Sequence, residues 1–251
     1  MEKARVRLVL HRPSSAENIG AVARVLKNFG LSRLDIVAPP SWEGPARSGG
    51  SHRAREDVLA RARRTARHAS DVLESATVHS DLKAALRDCV WTCGSTSRAP
   101  EGRPRLTPRE LGAEVARRSV AGPVAIVLGE ERRGLSDSEL EPCQAVCTIP
   151  TQPAYDSMNL AQAAAVLVYE VSLASAATLP GVPGEPPARQ ETVEALWDRV
   201  RELFARSNYL NPQNPEHILA DWRRLLARAE PTQRETELLV AAARSVLRLL
   251  K

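Results

Sequence analysis

The chain has 251 residues, of which 43% are hydrophobic and 26% charged, and its formal net charge at pH 7 is +5. This composition is typical of a soluble globular protein, and the positive charge weakly favours a polyanionic partner. Because the amino-terminal apolar run is short and no stretch is long and apolar enough to cross a bilayer, we expect a cytoplasmic protein with neither signal peptide nor membrane span.

Short apolar runs alternate with amphipathic stretches along the first part of the chain, which predicts an α/β fold with a mostly parallel sheet. The predicted strands are residues 6–10, 34–38, 76–79, 89–93, 124–128 and 145–149. A capping box at residues 14–17 predicts the start of the first helix, and Gly30 predicts its end. Further helices are predicted at residues 55–68, 81–87 and 107–118 and after residue 159.

The carboxy-terminal part of the chain differs from the first part in composition and in its hydrophobic pattern. Residues 179–188 contain four prolines and two glycines, a composition typical of a linker. Three amphipathic helices are predicted beyond it, with Trp197 and Trp222 on their apolar faces. We therefore expect an α/β domain over residues 1–178, a linker over 179–188 and a small all-α module over 189–251.

Seven arginines lie between residues 47 and 67, against only Glu56 and Asp57. Such a run is typical of a solvated helix face, and a surface that faces RNA is the alternative. The four cysteines form two C-x3-C pairs, Cys89/Cys93 and Cys143/Cys147. On strands this spacing places the two sulfurs too far apart for one ion, so we expect small buried side chains and no metal site or disulfide.

Three predicted strands each run into a polar loop, at residues 94–98, 129–135 and 151–156. The carboxyl ends of parallel strands build the ligand crevice of α/β proteins, so we expect these loops to converge on one site. The last loop opens an apolar helix whose free N–H groups could be capped by Asp156, Ser157 or Asn159, or could face a ligand. The chain contains neither G-x-G-x-x-G nor a phosphate-binding loop.

Gly20 lies inside the first predicted helix, where glycine costs roughly 1 kcal/mol relative to alanine. Its missing side chain would let another backbone or a ligand approach Arg24, one turn further on the same face. The planar guanidinium of Arg24 suits a phosphate, and a surface salt bridge is the alternative.

Together these segments resemble a known family. Asn18-x-Gly20-x-x-x-Arg24 follows the first strand, residues 128–136 read LGEERRGLS, and residues 149–163 read IPTQPAYDSMNLAQA. In this order they resemble the three motifs of the SPOUT class (TrmH/SpoU family) of S-adenosylmethionine-dependent RNA 2'-O-ribose methyltransferases. Residues 209–232 are also similar to the TrmJ branch, bacterial tRNA (cytidine/uridine) ribose methyltransferases.

The resemblance implies a trefoil-knotted, mostly parallel sheet flanked by helices, with S-adenosyl-L-methionine bound in the knot. It implies a homodimer with both active sites at the subunit interface, and tRNA as substrate at a cytidine or uridine on the 5' side of the anticodon loop. Ribosomal RNA as substrate, and a catalytically silent RNA-binding homologue, are the alternatives.

The resemblance also assigns residues. Those implied to line the cofactor pocket are Ser95, Thr96, Ser97, Gly129, Ile149, Ser157, Met158 and Asn159. Arg24 would be catalytic and reach across the dimer, with Asn18 ordering its surroundings and Ser157 near the reacting hydroxyl. Glu131 and Tyr155 would shape the pocket.

One position departs from the TrmJ pattern. That branch usually has arginine directly after the glycine of the second motif, and this chain has Glu130. We expect an anion beside the site to weaken contacts with RNA phosphates, with Arg132 and Arg133 able to compensate.

Overall fold

The computed structural model describes residues 1–37, 50–98, 100, 102–152, 154, 157–176, 186–210 and 215–250, with only the backbone described at 50–55, 176 and 215. Tyr155 and Asp156, the side chains of Arg47, Arg53 and Arg55, and most of the predicted linker lie outside the described residues.

Seven strands of the described residues form one sheet, in which every neighbouring pair is parallel. They are β1 Val6–His11, β2 Arg33–Val37, β3 Thr77–His79, β4 Trp91–Ser95, β5 Arg105–Leu106, β6 Val124–Leu128 and β7 Ala145–Cys147. Their spatial order is β3-β2-β1-β6-β4-β7-β5. The central strands are apolar almost without interruption because both faces of the sheet are covered.

Helices pack on both faces. They are α1 Ala16–Asn28, α2 Gly50–Ala66, α3 Ser70–Glu74, α4 Leu82–Leu86, α5 Pro108–Arg118, α6 Asp137–Leu140, α7 Leu160–Ala176, α8 Gln190–Arg206, α9 Pro215–Ala229 and α10 Gln233–Leu249. One apolar layer contains buried residues of α1, α2, α3, α5 and α7, and the other those of α4 and α6. In the part of the chain that is described, no helix is both long and apolar enough to span a membrane.

The predicted α/β order is confirmed, and the observed elements differ from the predicted ones at several places. The predicted capping box at Ser14 is wrong: the N-cap of α1 is Ser15, whose Oγ accepts from the N–H of Asn18 at 3.2 Å. The hydroxyl of Ser14 is directed toward Glu131 instead, to which both its N–H and its Oγ donate. Strand β4 begins at Trp91, two residues later than predicted, and the short elements β5 and α3 were not predicted. Gly30 ends α1 as predicted, with φ +71°.

The four cysteines are buried, as predicted, and each is a free thiol. Burial raises the pKa of Cys143 to about 12, so its thiol stays protonated and behaves as a small apolar group. Among the described residues no group of His, Cys, Asp and Glu side chains has an arrangement that could hold a metal ion.

The carboxy-terminal helices dock on the sheet at the amino ends of β4 and β7. The N–H of Gln190 donates to the carbonyl of Cys89 at 2.9 Å, and Gln144 donates to the Gln190 side chain at 3.0 Å. The guanidinium of Arg118 lies 5.0 Å from the ring centre of Trp91 and also pairs with Glu230 of the module. The module therefore covers the end of these strands opposite the polar loops.

Gly20 lets α2 approach α1. A Cβ at this position would lie 2.0 Å from the carbonyl oxygen of Ala62 and 2.2 Å from Oγ1 of Thr65. Thr65 also donates from Oγ1 to the Glu17 carbonyl at 2.9 Å. Of the two predicted reasons for this glycine, close approach of another backbone is the one observed.

We predict that Gly20→Ala lowers the free energy of unfolding by about 1–3 kcal/mol, although alanine is the better helix former, because α2 must move away. The measurement is urea denaturation at fixed protein concentration. Arg24→Ala, at an exposed position one turn later, is the control and should change stability by less than about 0.5 kcal/mol. Equal stability of Gly20→Ala and the wild type would contradict the packing role.

Candidate active site

The three predicted loops converge on one cavity of about 290 Å³. The last residues of β4, β6 and β7 lie side by side, since Ser95 pairs with both Leu128 and Cys147. The loops that follow therefore leave the sheet at the same edge, as the rule for parallel sheets predicts. The cavity is lined by Ser95, Thr96, Ser97, Arg98, Leu128, Gly129, Glu130, Glu131, Arg132, Arg133, Gly134, Ile149, Thr151, Ser157, Met158, Leu160 and Ala163.

Most of the predicted cofactor residues lie in that lining. Ser95, Thr96, Ser97, Gly129, Ile149, Ser157 and Met158 line it, together with the predicted pocket residue Glu131. Asn18, Arg24 and Asn159 do not line it in this chain. Tyr155, also predicted to shape the pocket, is outside the described residues.

Two glycines shape the second loop. A Cβ on Gly129 would lie 2.3 Å from the carbonyl carbon of Gly134, so the loop can fold back only with glycine there. Gly134 has φ +65°, and its N–H donates to the Glu130 carbonyl at 2.8 Å. The guanidinium of Arg98 donates to the carbonyl of Leu135 and thereby joins the first loop to the second.

Glu131 joins the second loop to α1. Its carboxylate accepts from the N–H and Oγ of Ser14 at 2.8 and 2.7 Å, from the N–H of Ser15 at 3.1 Å and from Nδ2 of Asn18 at 2.9 Å. Burial opposes ionisation, yet these hydrogen bonds outweigh it and lower the pKa of Glu131. The loop and the amino end of α1 are thus held by one ionised carboxylate.

Asn18 and Asn159 extend this network to α7. Nδ2 of Asn159 donates to Oδ1 of Asn18 at 3.0 Å. Oδ1 of Asn159 accepts from the N–H groups of Ala161 and Gln162 at 2.9 and 3.3 Å, which makes Asn159 the cap of α7. Asn159 therefore fixes the position of Ser157 and Met158, which precede it at the cavity wall.

The unusual Glu130 is paired with a cation. Nε of Arg133 donates to Glu130 at 2.9 Å, and the same guanidinium donates to Glu139 at 3.0 Å. Glu139 in turn contacts the buried ring of His11 at 2.9 Å, and burial lowers the pKa of His11. The charge of Glu130 is thus offset in part by Arg133, a guanidinium that it shares with Glu139.

The lining suits a nucleoside that carries a polar tail. Leu128, Ile149 and Met158 offer apolar surface for a base, and the hydroxyls of Ser95 and Ser97 offer hydrogen-bonding groups. A volume near 290 Å³ is at the lower end of the range for small-molecule sites. Two lining residues that were not singled out from the sequence are Arg98, which lies in the first loop, and Leu160, which begins α7. The only sequence signal for either was its position in or beside a predicted loop.

Arg24 lies on the exposed side of α1, six residues after Asn18, and faces a different groove shared with the end of α2. Helix α1, which carries Arg24, does contact the segment of Ser157, Met158 and Asn159 before α7. The contact is made by Asn18 and not by Arg24. A chain on its own therefore has the cavity without the predicted catalytic arginine.

A parallel α/β domain with a mixed polar and apolar cavity at the carboxyl ends of its strands defines a class of proteins that bind nucleotides or nucleosides. Comparison with known proteins narrows this class. The model of the SpoU rRNA Methylase family matches residues 5–169, and the chain belongs to this family.

Individual relatives agree over nearly the whole chain. A tRNA (cytidine/uridine-2'-O-)-methyltransferase TrmJ of Yersinia pestis is 33% identical over 93% of this chain and 88% of its own. TrmJ of Pectobacterium atrosepticum is 32% identical over 96% of each chain. The crystal structure of TrmJ from Z. mobilis ZM4 superposes with a TM-score of 0.77 at 28% identity, covering 97% of this chain and 99% of that one. The predicted resemblance and the parallel sheet flanked by helices are confirmed, and the knot stays a prediction.

We predict that Glu131→Gln lowers the free energy of unfolding by about 1.5–3 kcal/mol at pH 7, because a carboxamide turns a donor toward N–H donors. A lowered pKa stabilises the fold above the unfolded value near 4.5 and ceases to do so as pH falls through the folded value. The gap between variant and wild type should therefore narrow below about pH 4.5.

Urea denaturation of both proteins from pH 7 to pH 4 measures this gap. Glu141→Gln, at an exposed position, is the control and should show no comparable loss. A gap that is independent of pH would mean that the charge of Glu131 is not what holds α1.

Proposed function

We propose that the protein is an S-adenosylmethionine-dependent methyltransferase that acts on a ribose 2'-hydroxyl of tRNA, at a cytidine or uridine of the anticodon loop. The observation that carries the proposal is the cavity at the ends of β4, β6 and β7, which is lined by seven of the eight residues expected to bind the cofactor. Two relatives named tRNA (cytidine/uridine-2'-O-)-methyltransferases align with this chain over 88% and 96% of their own length. Their names support tRNA as the substrate.

The chain's own residues would do most of the work by positioning. When bound, S-adenosylmethionine would supply an activated methyl group. Ser95, Thr96 and Ser97 would hold its polar parts, and Ile149 and Met158 its base, with Gly129 allowing close approach of the backbone. Orienting the ribose hydroxyl against that group is the larger part of catalysis in such a transfer.

Arg24 would grip the phosphate next to the reacting ribose and stabilise the developing alkoxide. A role as general base does not suit it, since arginine stays protonated in proteins. Ser157, at the cavity wall, would contact the reacting hydroxyl, and Asn18 would order the loop around it. The proton acceptor is water or phosphate in this scheme.

Because Arg24 lies outside the cavity of its own chain, we propose a homodimer in which it serves the partner's cavity. The apolar helix α7 exposes 47% of Tyr169 and 46% of Leu173, and the Tyr169 ring contacts Phe29 of α1 at a centroid distance of 5.8 Å. Exposed apolar side chains on neighbouring helices are typical of a surface buried in a dimer.

Two other functions remain as outcomes of a test. The family description names rRNA, so ribosomal RNA is the alternative substrate. A silent RNA-binding homologue would keep the fold without methyl transfer. Incubation of the pure protein with labelled cofactor and either tRNA or ribosomal RNA, followed by nucleoside mass spectrometry, distinguishes all three.

We predict that Arg24→Ala lowers kcat for methylation of tRNA by at least about 100-fold while cofactor affinity stays within about twofold of the wild type. Radiolabel transfer measures the first quantity and calorimetry the second. Arg87→Ala, at an exposed position on the opposite face, is the control and should leave both nearly unchanged. A large loss of cofactor affinity in Arg24→Ala would show that its role is misassigned.

We predict that Leu173→Glu converts a dimer into monomers and abolishes methylation, because a charge cannot be buried between two copies of α7. Light scattering measures the mass, and Val120→Glu is the control, at a position that is 64% exposed and lies outside α7.

Mixing inactive Arg24→Ala with inactive Gly129→Ala should restore activity, since a mixed dimer has one intact cavity facing one intact arginine. No recovery on mixing would show that Arg24 acts within its own chain.

A further inference from the structure

A second concave surface lies between α1 and the end of α2. This basic groove encloses about 510 Å³ and is lined by Arg24, Lys27, Asn28, Ala66, Arg67, His68 and Ala69. It shares no lining residue with the active-site cavity. The predicted arginine-rich run therefore ends at the same surface as Arg24.

The positive charge of the groove is only partly balanced by carboxylates of the described residues. Lys27 pairs with Asp71 at 2.8 Å, and Arg63 of α2 lies 3.8 Å from Glu74. By contrast, no carboxylate of the described residues pairs with Arg24 or Arg67. Two guanidinium groups in one groove that have no counterion in the described part of the chain favour an anionic partner.

The backbone at Arg67 limits which substitutions can test the groove. Arg67 follows the last residue of α2 with φ +55°, a left-handed conformation. Glu230 after α9 and Asn208 after α8 also take this conformation. Asparagine adopts it with little strain, so it can replace Arg67 without disturbing the backbone.

The packing of α2 on α1 places Arg67 beside Arg24. The contact between Gly20 and Ala62 holds the two helices together, and both arginines line the groove. Arg24 lies six residues after Asn18, or about 9 Å along the helix axis, and is outside the cavity of its own chain. In the proposed dimer Arg24 serves the partner's cavity, so the groove lies next to that cavity.

We propose that the basic groove binds the sugar-phosphate backbone of the RNA substrate beside the methylated nucleotide, with Arg67 contacting a phosphate. This inference rests on the proposed function and adds to it a second contact surface for the same RNA. Phosphate contacts of this kind position the substrate and carry no base preference.

A matched pair of variants tests the proposal in the full-length protein. Arg67→Asn removes the charge and suits the left-handed backbone, whereas Arg67→Lys keeps the charge. Loss of one phosphate contact should weaken tRNA binding by roughly fivefold at 0.1 M salt and reduce the slope of log K against log salt by about 0.7. We expect this for Arg67→Asn, with an unchanged or higher Tm, a raised KM and a retained kcat, and near-normal binding for Arg67→Lys.

Arg87→Asn, on the opposite face of the sheet, removes the same charge and controls for net charge. Equal losses in Arg67→Asn and Arg87→Asn would overturn the proposal, as would wild-type tRNA binding by Arg67→Asn. A change in oligomeric mass with unchanged tRNA affinity would instead make the groove an interface between copies. A wild-type protein that neither binds nor methylates tRNA would defeat the proposed function itself, whereas a wild-type KM for tRNA in Arg67→Asn would reject the groove alone.

Discussion

The carboxylate of Glu131 is the interaction on which the site depends. It accepts four hydrogen bonds from Ser14, Ser15 and Asn18, and Asn18 accepts a further one from Asn159. Apolar packing alone is non-directional and would leave the rotation of α1 and α7 loosely defined. An ionised group with several donors defines the geometry, because any displacement leaves a partly buried charge unsatisfied. Three segments distant in sequence are fixed around one cavity in this way.

The central strands of the sheet are held in place by polar contacts at both their carboxyl ends and their amino ends. At the carboxyl ends of β4, β6 and β7, Arg98 and Glu131 connect the loops to one another and to α1. At the amino ends of β4 and β7, Gln144 and Trp91 connect the same strands to the carboxy-terminal helices. Both ends of these strands are thus held by polar contacts, with buried apolar layers between them. A site on loops gains rigidity from such a scaffold.

Local patterns in the sequence were enough for the strands, the loops and their convergence, since apolar runs, glycines and the parallel-sheet rule are short-range signals. They were not enough for the partners of Glu131, because nothing in LGEERRGLS specifies donors more than 110 positions earlier. The same limit explains the misplaced cap: only Ser14 has a glutamate three residues later, as a capping box requires, but its hydroxyl donates to the distant Glu131 and Ser15 caps the helix. Gly20 is a partial success of local patterns. A glycine inside a helix predicted a close approach by another group, but the sequence did not show that this group belongs to α2.

Helix α1 has two functions in the proposed dimer, and they are separated by two turns. Its first turn holds Asn18 in the network of its own cavity, and Arg24 projects away from that cavity. If Arg24 completes the partner's site, a tilt of α1 would disturb both sites together, and activity would require assembly and vary with protein concentration. The close contact at Gly20 braces this helix against α2. The bracing also sets where Arg67 lies relative to Arg24, so a single packing contact links stability, catalysis and the proposed path of the RNA.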